Sequence, residues 1–510
     1  MWENKMTTSK VINLLRNILL ISFTFYHSMA SADLQSSNLL QSRIRLFEAW
    51  LSTLIDEQSL VGVSVSLVQD QKLVYSKGFG FADFENRYPA TKETNYRVAS
   101  ITKLFTSIAL MQLVEEQKIN LSTAVTDVVP ELRKIQSNEY QVNEITVKSI
   151  LTHTTGLPTN PYFILDKKEE YVRKRSDEFL KNLPQQSIVF PPNRRSKYSN
   201  LAMNLGGVII ERISGLPYDQ YVQKFILKPL KMESSGFPFP GKLDDSNVIG
   251  YNRIVKNKRL ASNFPEMSNI LGLPAAGLVS NVIDLAKFMS WHFNVLNGEN
   301  ESLLSRNQLY QMQKIQWVGI PIERHPVINS AMSFVANILE LGGIGLGYFR
   351  DDEFVFHGGG LSGFSSKVAM NNTKKIGVAA LANSSDAPVS FESPRSISRN
   401  LYQMIGEAIT EDESIGKPML YSEYEALYSN ENFWYFYAIE IDQKLVLVDL
   451  LHTSPMEKTI ILSEVGDDNF VNHDQESIYK GEFFVHFHRD EKGRVDSIII
   501  NNEKIYRREK

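Results

Sequence analysis

The sequence predicts a mixed α/β domain, one sheet flanked by helices with a helical lobe beside it, followed by a smaller all-β domain. Three observations predict it. Alternating apolar runs near the start and again before position 390 frame a long middle of helical pieces and loops. A polar, acidic break at Thr410–Pro418 is followed by a different texture of short aromatic and β-branched runs. A chain of 510 residues also exceeds what a single core usually fills, which favours more than one domain.

The elements follow in chain order. Lys5, Lys10 and Arg16 precede an apolar stretch, Ile18–Tyr26, and Ala30-Ser31-Ala32 comes after it. A basic start, a short apolar run and a small-x-small site predict an export signal over 1–32, cleaved after Ala32. No later segment reaches the ~18 uninterrupted apolar residues that a membrane helix needs, so the expectation is an exported chain without a stable membrane span once the signal is cleaved. The mature part then divides into 33–412 and 413–510.

Val61–Val68, a polar turn at Gln69–Lys72 and Leu73–Phe79 read as a hairpin. Arg97–Glu116 reads as a helix, with Ile108–Val114 apolar almost all round and therefore in the core. Helical pieces broken by Pro, Gly and Asn run from about Leu121 to Asn300. Strands return at Glu353–His357, Ser366–Met370 and Lys375–Leu381, and a last helix carries Ile397, Leu401, Ile405 and Ile409 on one stripe. In the C-terminal domain, Phe433–Tyr437, Lys444–Asp449, Lys458–Leu462, Gly481–Phe487 and Ser497–Ile500 are separated by turns, as in a small barrel or sandwich.

Composition excludes several functions. The formal charge is -4, from 54 basic and 58 acidic residues, so no positive field draws a nucleic acid, and the run Lys167–Arg175 mixes signs. No cysteine is present, which removes disulfides, thiol nucleophiles and thiolate metal sites. His486 and His488 alternate on one strand face without further ligands nearby, so no metal or other cofactor is expected. Gly343–Gly347 lacks the helix start that a nucleotide loop requires and reads as a turn.

Chemistry is carried by three short patterns. Ser100-Ile-Thr-Lys103 opens the core helix, where residues three apart share a face, so the amine reaches the hydroxyl. Held near the core, Lys103 loses hydration, and its pKa falls toward that of a useful base. An N-cap with a solvated lysine explains these two residues equally well. The second Ser-x-x-Lys, Ser477–Lys480, lies in a strand pattern where the lysine points away. Tyr198-Ser199-Asn200 stands at a loop-to-helix junction, where a side chain projects into a cleft, whereas its twin Tyr428-Ser429-Asn430 reads as packing. His357-Gly358-Gly359-Gly360 ends a strand in glycines that let backbone N–H groups approach a ligand or else form a tight turn.

Taken in order, these pieces resemble the penicillin-recognising serine hydrolase superfamily, in its branch of class C β-lactamases, D-aminopeptidases and related esterases. Tyr96–Lys103, Ile150–Pro158, Ala275–Phe288 and His357–Ser366 resemble its blocks, and the likeness extends from about Gln41 to Ile409. It implies a β-lactamase/transpeptidase-like fold on an antiparallel sheet, and the C-terminal part resembles the lipocalin-like β domain of some members. It also implies that Ser100 is acylated, with Lys103 its base, and that Tyr198 relays a proton to the leaving group. Asn200 would orient the lysine and the substrate amide, and the N–H groups of Ser100 and Gly360 would hold the oxyanion. Whether Lys103 or Tyr198 takes the first proton stays open, and His153, inside one block, reads as structural.

His357 departs from the lysine usual in β-lactamases and transpeptidases. A neutral imidazole anchors a carboxylate less well than an ammonium does, so His357, Gly359 and Gly360 are expected to face peptides with D-residues, or esters. The expected function is therefore an exported serine hydrolase acting on a peptide or small-molecule substrate through an acyl-enzyme. A true β-lactamase or D-alanyl-D-alanine carboxypeptidase, and a non-catalytic scaffold on the same fold, are the alternatives.

Overall fold

The computed structural model describes residues 38–56, 60–137, 139–161, 179–237, 248–252, 260–262, 272–318, 343–389, 395–411, 419–430, 434–452, 455–457, 459–472, 483–500 and 503–508. The expected signal segment, the charged run Lys167–Arg175 and the Ser477–Lys480 pattern lie outside the described residues. The chain forms two compact units: residues 51–402, and residues 403–510 together with the described residues 38–50. The division falls inside the helical run 397–411, whose Ile397, Leu401 and Ile405 are fully buried, as their stripe requires.

Helix α1, Asn38–Asp56, leads into strands β1, Gly62–Gln69, and β2, Lys72–Asp83, which form the expected hairpin around Asp70 at φ +52°. Strand β3 is Tyr88–Pro89, and β4, Tyr96–Arg97, pairs with β5, Val279–Ser280. Between them lie helices α2, Thr102–Glu115, α3, Val147–Leu151, α4, Asn200–Ser214, and α5, Leu273–Ala276; helix α6, Val282–Asn297, follows β5. Strands β6, Trp317–Val318, β7, Gly343–Ile344, and β8, Phe349–Arg350, precede β9, Val355–Leu361, β10, Phe364–Asn371, and β11, Ile376–Ala382.

Nine of these strands make one sheet in the order β3-β2-β1-β11-β10-β9-β8-β7-β6, every pairing antiparallel. The N-terminal hairpin meets the last strand at Val63↔Ala382, so the sheet joins distant parts of the chain as expected. The alternation of Val and Ser along β1 does not separate a wet face from a dry one. Ser64 and Ser66 are fully buried, and their hydroxyls donate to Thr91 O at 2.6 Å and Val282 O at 2.9 Å, which satisfies them inside the core.

Helix α2 is the core helix predicted, buried from Thr102 to Leu113. Helix α4 starts at the N-cap Ser199, whose hydroxyl accepts the Ala202 N–H at 3.0 Å, and stops at Gly215, φ +72°. Gly207 lets α5 approach α4, because a Cβ there would lie 2.1 Å from the Pro274 ring. The Gly343–Gly347 stretch is β7 and a turn with Gly347 at φ +87°.

In the second unit, eight strands close a barrel: β12, Ala426–Ser429, β13, Tyr435–Ile441, β14, Lys444–Asp449, β15, Thr459–Gly466, β16, Asn469–Asn472, β17, Phe483–Arg489, β18, Val495–Ile500, and β19, Glu503–Arg507. Side chains fill it. The Phe487 ring lies 4.7, 5.4 and 5.8 Å from those of Tyr424, Phe470 and Tyr428, and the Tyr428 hydroxyl donates to Tyr424 O at 2.8 Å. Tyr428 is thus packing, as expected. His486 Nδ1 meets Asn469 Oδ1 and His488 Nδ1 meets Asp496 Oδ1, and no group of three or more metal-binding side chains exists among the described residues. No helix among them is long and apolar enough to cross a membrane.

Because Phe487 touches three other rings, Phe487→Ala should lower stability by about 3–5 kcal/mol in urea denaturation, the usual range for a buried phenylalanine.

Candidate active site

The Ser100 segment is built differently from the cap expected of it. Ala99–Ile101 form a 3-10 turn that runs straight into α2, and the Ser100 hydroxyl caps neither element. The reading of Ser100 as an N-cap is therefore corrected. Ala99 sits at φ +49°, a left-handed conformation that costs a residue with a Cβ roughly 1–2 kcal/mol. Its carbonyl accepts the Thr102 hydroxyl at 2.6 Å, and Thr102 Oγ1 in turn accepts the Leu278 N–H at 3.0 Å, so the strained turn is tied down on both sides. The outcome is a half-buried Ser100 that points its hydroxyl at its partners.

Lys103 Nζ donates to Ser100 Oγ at 3.0 Å and to Ala275 O at 2.7 Å, and stands 4.8 Å from the centre of the Tyr198 ring. The lysine is 1 % exposed. Desolvation drives its pKa well below 10.5, and no carboxylate among the described residues offsets that loss. Burial raises the pKa of Tyr198, opposed in part by the neighbouring Ser100 side chain, so the phenol keeps its proton at neutral pH. The first two sequence patterns therefore converge, and the amine and phenol are displaced in opposite directions.

Asn200 opens α4, 6 % exposed, and donates from Nδ2 to Asn160 Oδ1 at 2.6 Å. Its Oδ1 is buried without a partner among the described residues, and the bond expected from Lys103 goes instead to the carbonyl of Ala275. The role of Asn200 in orienting the lysine is corrected accordingly. That carbonyl is supplied by the backbone of α5, a contact with no side-chain signature in the sequence.

The third pattern forms β9. His357 is buried, and its Nδ1 donates to Gly358 O at 2.6 Å. Burial, followed by the Lys103 charge, pushes its pKa well below 6.5, which leaves the ring neutral. Gly359 faces the Ser100 turn, where a Cβ would lie 2.3 Å from Val98 O and 2.4 Å from Ser366 Oγ. Only glycine lets strand and turn meet there. Gly360 points the other way, with nothing among the described residues within 4 Å of a Cβ. Strand β8 pairs only with Val355 and Phe356 of β9, so Gly358–Leu361 have no β partner on that side among the described residues. Phe349, which the sequence reading missed, lies 5.0 Å from the His357 ring and 6.4 Å from that of Tyr198. A lone Phe in a two-residue strand gives no periodic signal.

The model of the family described as beta-lactamase matches residues 47–399, a span that contains every group described in this site. The chain belongs to the beta-lactamase family. Among relatives of known name, Protein flp of Staphylococcus aureus (strain MW2) is 26% identical over 326 residues, 63% of this chain and 59% of flp. The match thus spans less than two thirds of that relative's length. The octameric penicillin-binding protein homologue from Pyrococcus abyssi is 25% identical with a TM-score of 0.57, covering 91% of this chain and 99% of the homologue. EstCE1, a hydrolase with promiscuous acyltransferase activity, shares the fold at 21% identity and a TM-score of 0.57, covering 73% of this chain and 100% of EstCE1.

Two outcomes follow from this geometry. Gly359→Ala should force β9 off the Ser100 turn and cost about 1–3 kcal/mol, as overpacking does, whereas Gly360→Ala should leave the melting temperature unchanged; differential scanning calorimetry compares them. Burial, the largest cause in each case, also lowers the pKa of His153 to about 3, that of His292 to about 4 and that of His357. Neutral in the fold, these rings take up protons on unfolding, so their contribution to stability is full above pH ~6.5 and falls as the pH drops toward their folded values, by about 1.4 kcal/mol per pH unit for each ring. Urea midpoints measured from pH 7.5 to 5 should decline accordingly.

Proposed function

We propose that this protein is an exported serine hydrolase that cleaves peptide amides or esters through an acyl-enzyme on Ser100, without a cofactor. The observation that carries the reading is the buried Lys103 amine 3.0 Å from the Ser100 hydroxyl, with no carboxylate among the described residues contributing to its pKa. An amine that sheds its proton readily can accept one from Ser100 as Oγ attacks a carbonyl. Tyr198, held protonated by its surroundings, then gives a proton to the departing amine or alkoxide and regains one from Lys103. The opposite displacements of the two pKa values favour Lys103 as the first acceptor. The N–H groups of Ser100 and Gly360 would hold the oxyanion, a contribution of ~3 kcal/mol for one such donor. Water would release the acyl group by the reverse sequence.

The substrate class follows from β9. The buried His357 is neutral and already donates to Gly358 O, so it supplies no charge for a carboxylate. The edge beside Gly358–Leu361, without a β partner among the described residues, suits an extended acyl chain laid along the strand. Amides of D-residues and short esters fit this arrangement better than β-lactams or peptides that end in a free carboxylate. Export is supported by the basic, apolar and small-residue pattern of 1–32.

A panel of D-aminoacyl amides, short-chain esters, D-alanyl-D-alanine peptides and a chromogenic cephalosporin tests the proposal. Ser100→Ala should abolish turnover, and Lys103→Met should lower kcat by about 10²–10⁴-fold, the scale of a lost general base. Activity should rise with pH on a single acid limb as Lys103 loses its proton, with no contribution from His153 above pH 5. Equal turnover by wild type and Ser100→Ala removes the mechanism, and preferential cephalosporin hydrolysis removes the substrate class.

A further inference from the structure

Three separate contacts tie His153 to the segment that carries Tyr198. The His153 carbonyl accepts the Lys197 N–H at 2.7 Å. Its ring Nδ1 accepts the Ser199 N–H at 3.2 Å. Between these two anchor points the Tyr198 ring lies against the imidazole, centroids 4.5 Å apart and planes 39° from parallel. One residue thus holds the position before the tyrosine, the position after it and the aromatic ring itself.

The support beneath His153 is firm. Helix α3 begins at a reciprocal capping box between Thr146 and Ser149, and His153 follows its end with φ +56° and its own N–H donating to Ile150 O at 3.2 Å. The left-handed backbone turns the His153 carbonyl and ring toward the same neighbouring segment. That segment needs such a support, because residues 191–199 contain no helix or strand before the Ser199 cap of α4. Phe349 flanks the Tyr198 ring as well, at 6.4 Å, but it makes no bond to the Tyr198 backbone.

We propose that His153 is a positioning residue for Tyr198, clamping residues 197 and 199 so that the phenol stays beside Ser100 and Lys103. This assignment rests on the serine-hydrolase reading above for its catalytic consequence, though not for the clamp itself. Accepting the Ser199 N–H requires Nδ1 to carry no proton, which places the proton of the neutral ring on Nε2. Burial, and then the neighbouring Lys103, lower the pKa of the ring to about 3, so the acceptor persists across the neutral range.

Two full-length variants separate the contacts. His153→Phe keeps a ring and removes the acceptor; His153→Asn keeps an acceptor near the position of Nδ1 and removes the ring. In residue-resolved hydrogen exchange, His153→Phe should speed exchange of the Ser199 amide about tenfold, the size of one hydrogen bond, while the Lys197 amide stays protected and His153→Asn restores Ser199. With a short-chain ester, His153→Phe should lower kcat about tenfold to a hundredfold, the cost of misplacing a catalytic group by roughly 1 Å, with KM little changed. His153→Asn should recover most of that loss. If His153→Phe does not fold, His153→Ala takes its place in the same comparison. Unchanged exchange at Ser199, equal kcat losses in the Phe and Asn variants, or an effect on KM alone overturns the assignment. The expected exchange pattern in a protein without Ser100-dependent turnover keeps the clamp and removes the hydrolase reading instead.

Discussion

An amine sealed from water, with no opposite charge paired to it among the described residues, is the constraint around which the larger unit is arranged. Lys103 sits on a helix whose first twelve residues are buried, and its hydrogen bonds go to a hydroxyl and a carbonyl. A carboxylate in either place would hold the ammonium and silence it as a base. The surroundings keep to that rule. Burial keeps the imidazoles of His153 and His357 neutral, and the Tyr198 ring, 4.8 Å from the amine, belongs to a phenol that keeps its proton.

The same constraint explains why the site draws on so many parts of the chain. The amine needs an acceptor without charge, and α5 provides one in the backbone of Ala275, held close to α4 because Gly207 has no side chain. The hydroxyl needs a turn that places it between amine and phenol, and the left-handed Ala99 supplies that turn. Strand β9 must come near enough for its backbone to share the Ser100 region, which Gly359 permits. Each adjustment is a local departure from ideal geometry, sustained by the packing of a large, fully buried core.

The sheet, its closure by distant strands and the core helix were legible because hydrophobic periodicity reports burial directly. Ser100 and Lys103 were legible because helical spacing converts a separation of three into proximity. The capping reading of Ser100 failed because its cause lies at Ala99, and alanine gives no warning of a left-handed backbone. Asn200 was expected to meet Lys103 and does not, since a main-chain carbonyl occupies that place and leaves no mark in the letters. In the barrel, β12, β16 and β19 escaped notice: Ala426–Ser429 is only four residues long, and Asn469–Asn472 and Glu503–Arg507 are short and polar at their ends. Phe349 was missed, and His153 was read only as structural, for a related reason: which ring each of them faces is a property of tertiary structure alone.

The pairing of β1 with β11 carries a consequence for how the molecule comes into being. The strand at Gly62–Gln69 has to wait for Ile376–Ala382 before one of its edges is satisfied, and Ser100 waits as long for the glycines of β9. Closing so large a loop is slow. A nascent chain would therefore hold its Ser100 region incomplete until the strands at Val355–Leu361 and Ile376–Ala382 had emerged, long after the serine itself.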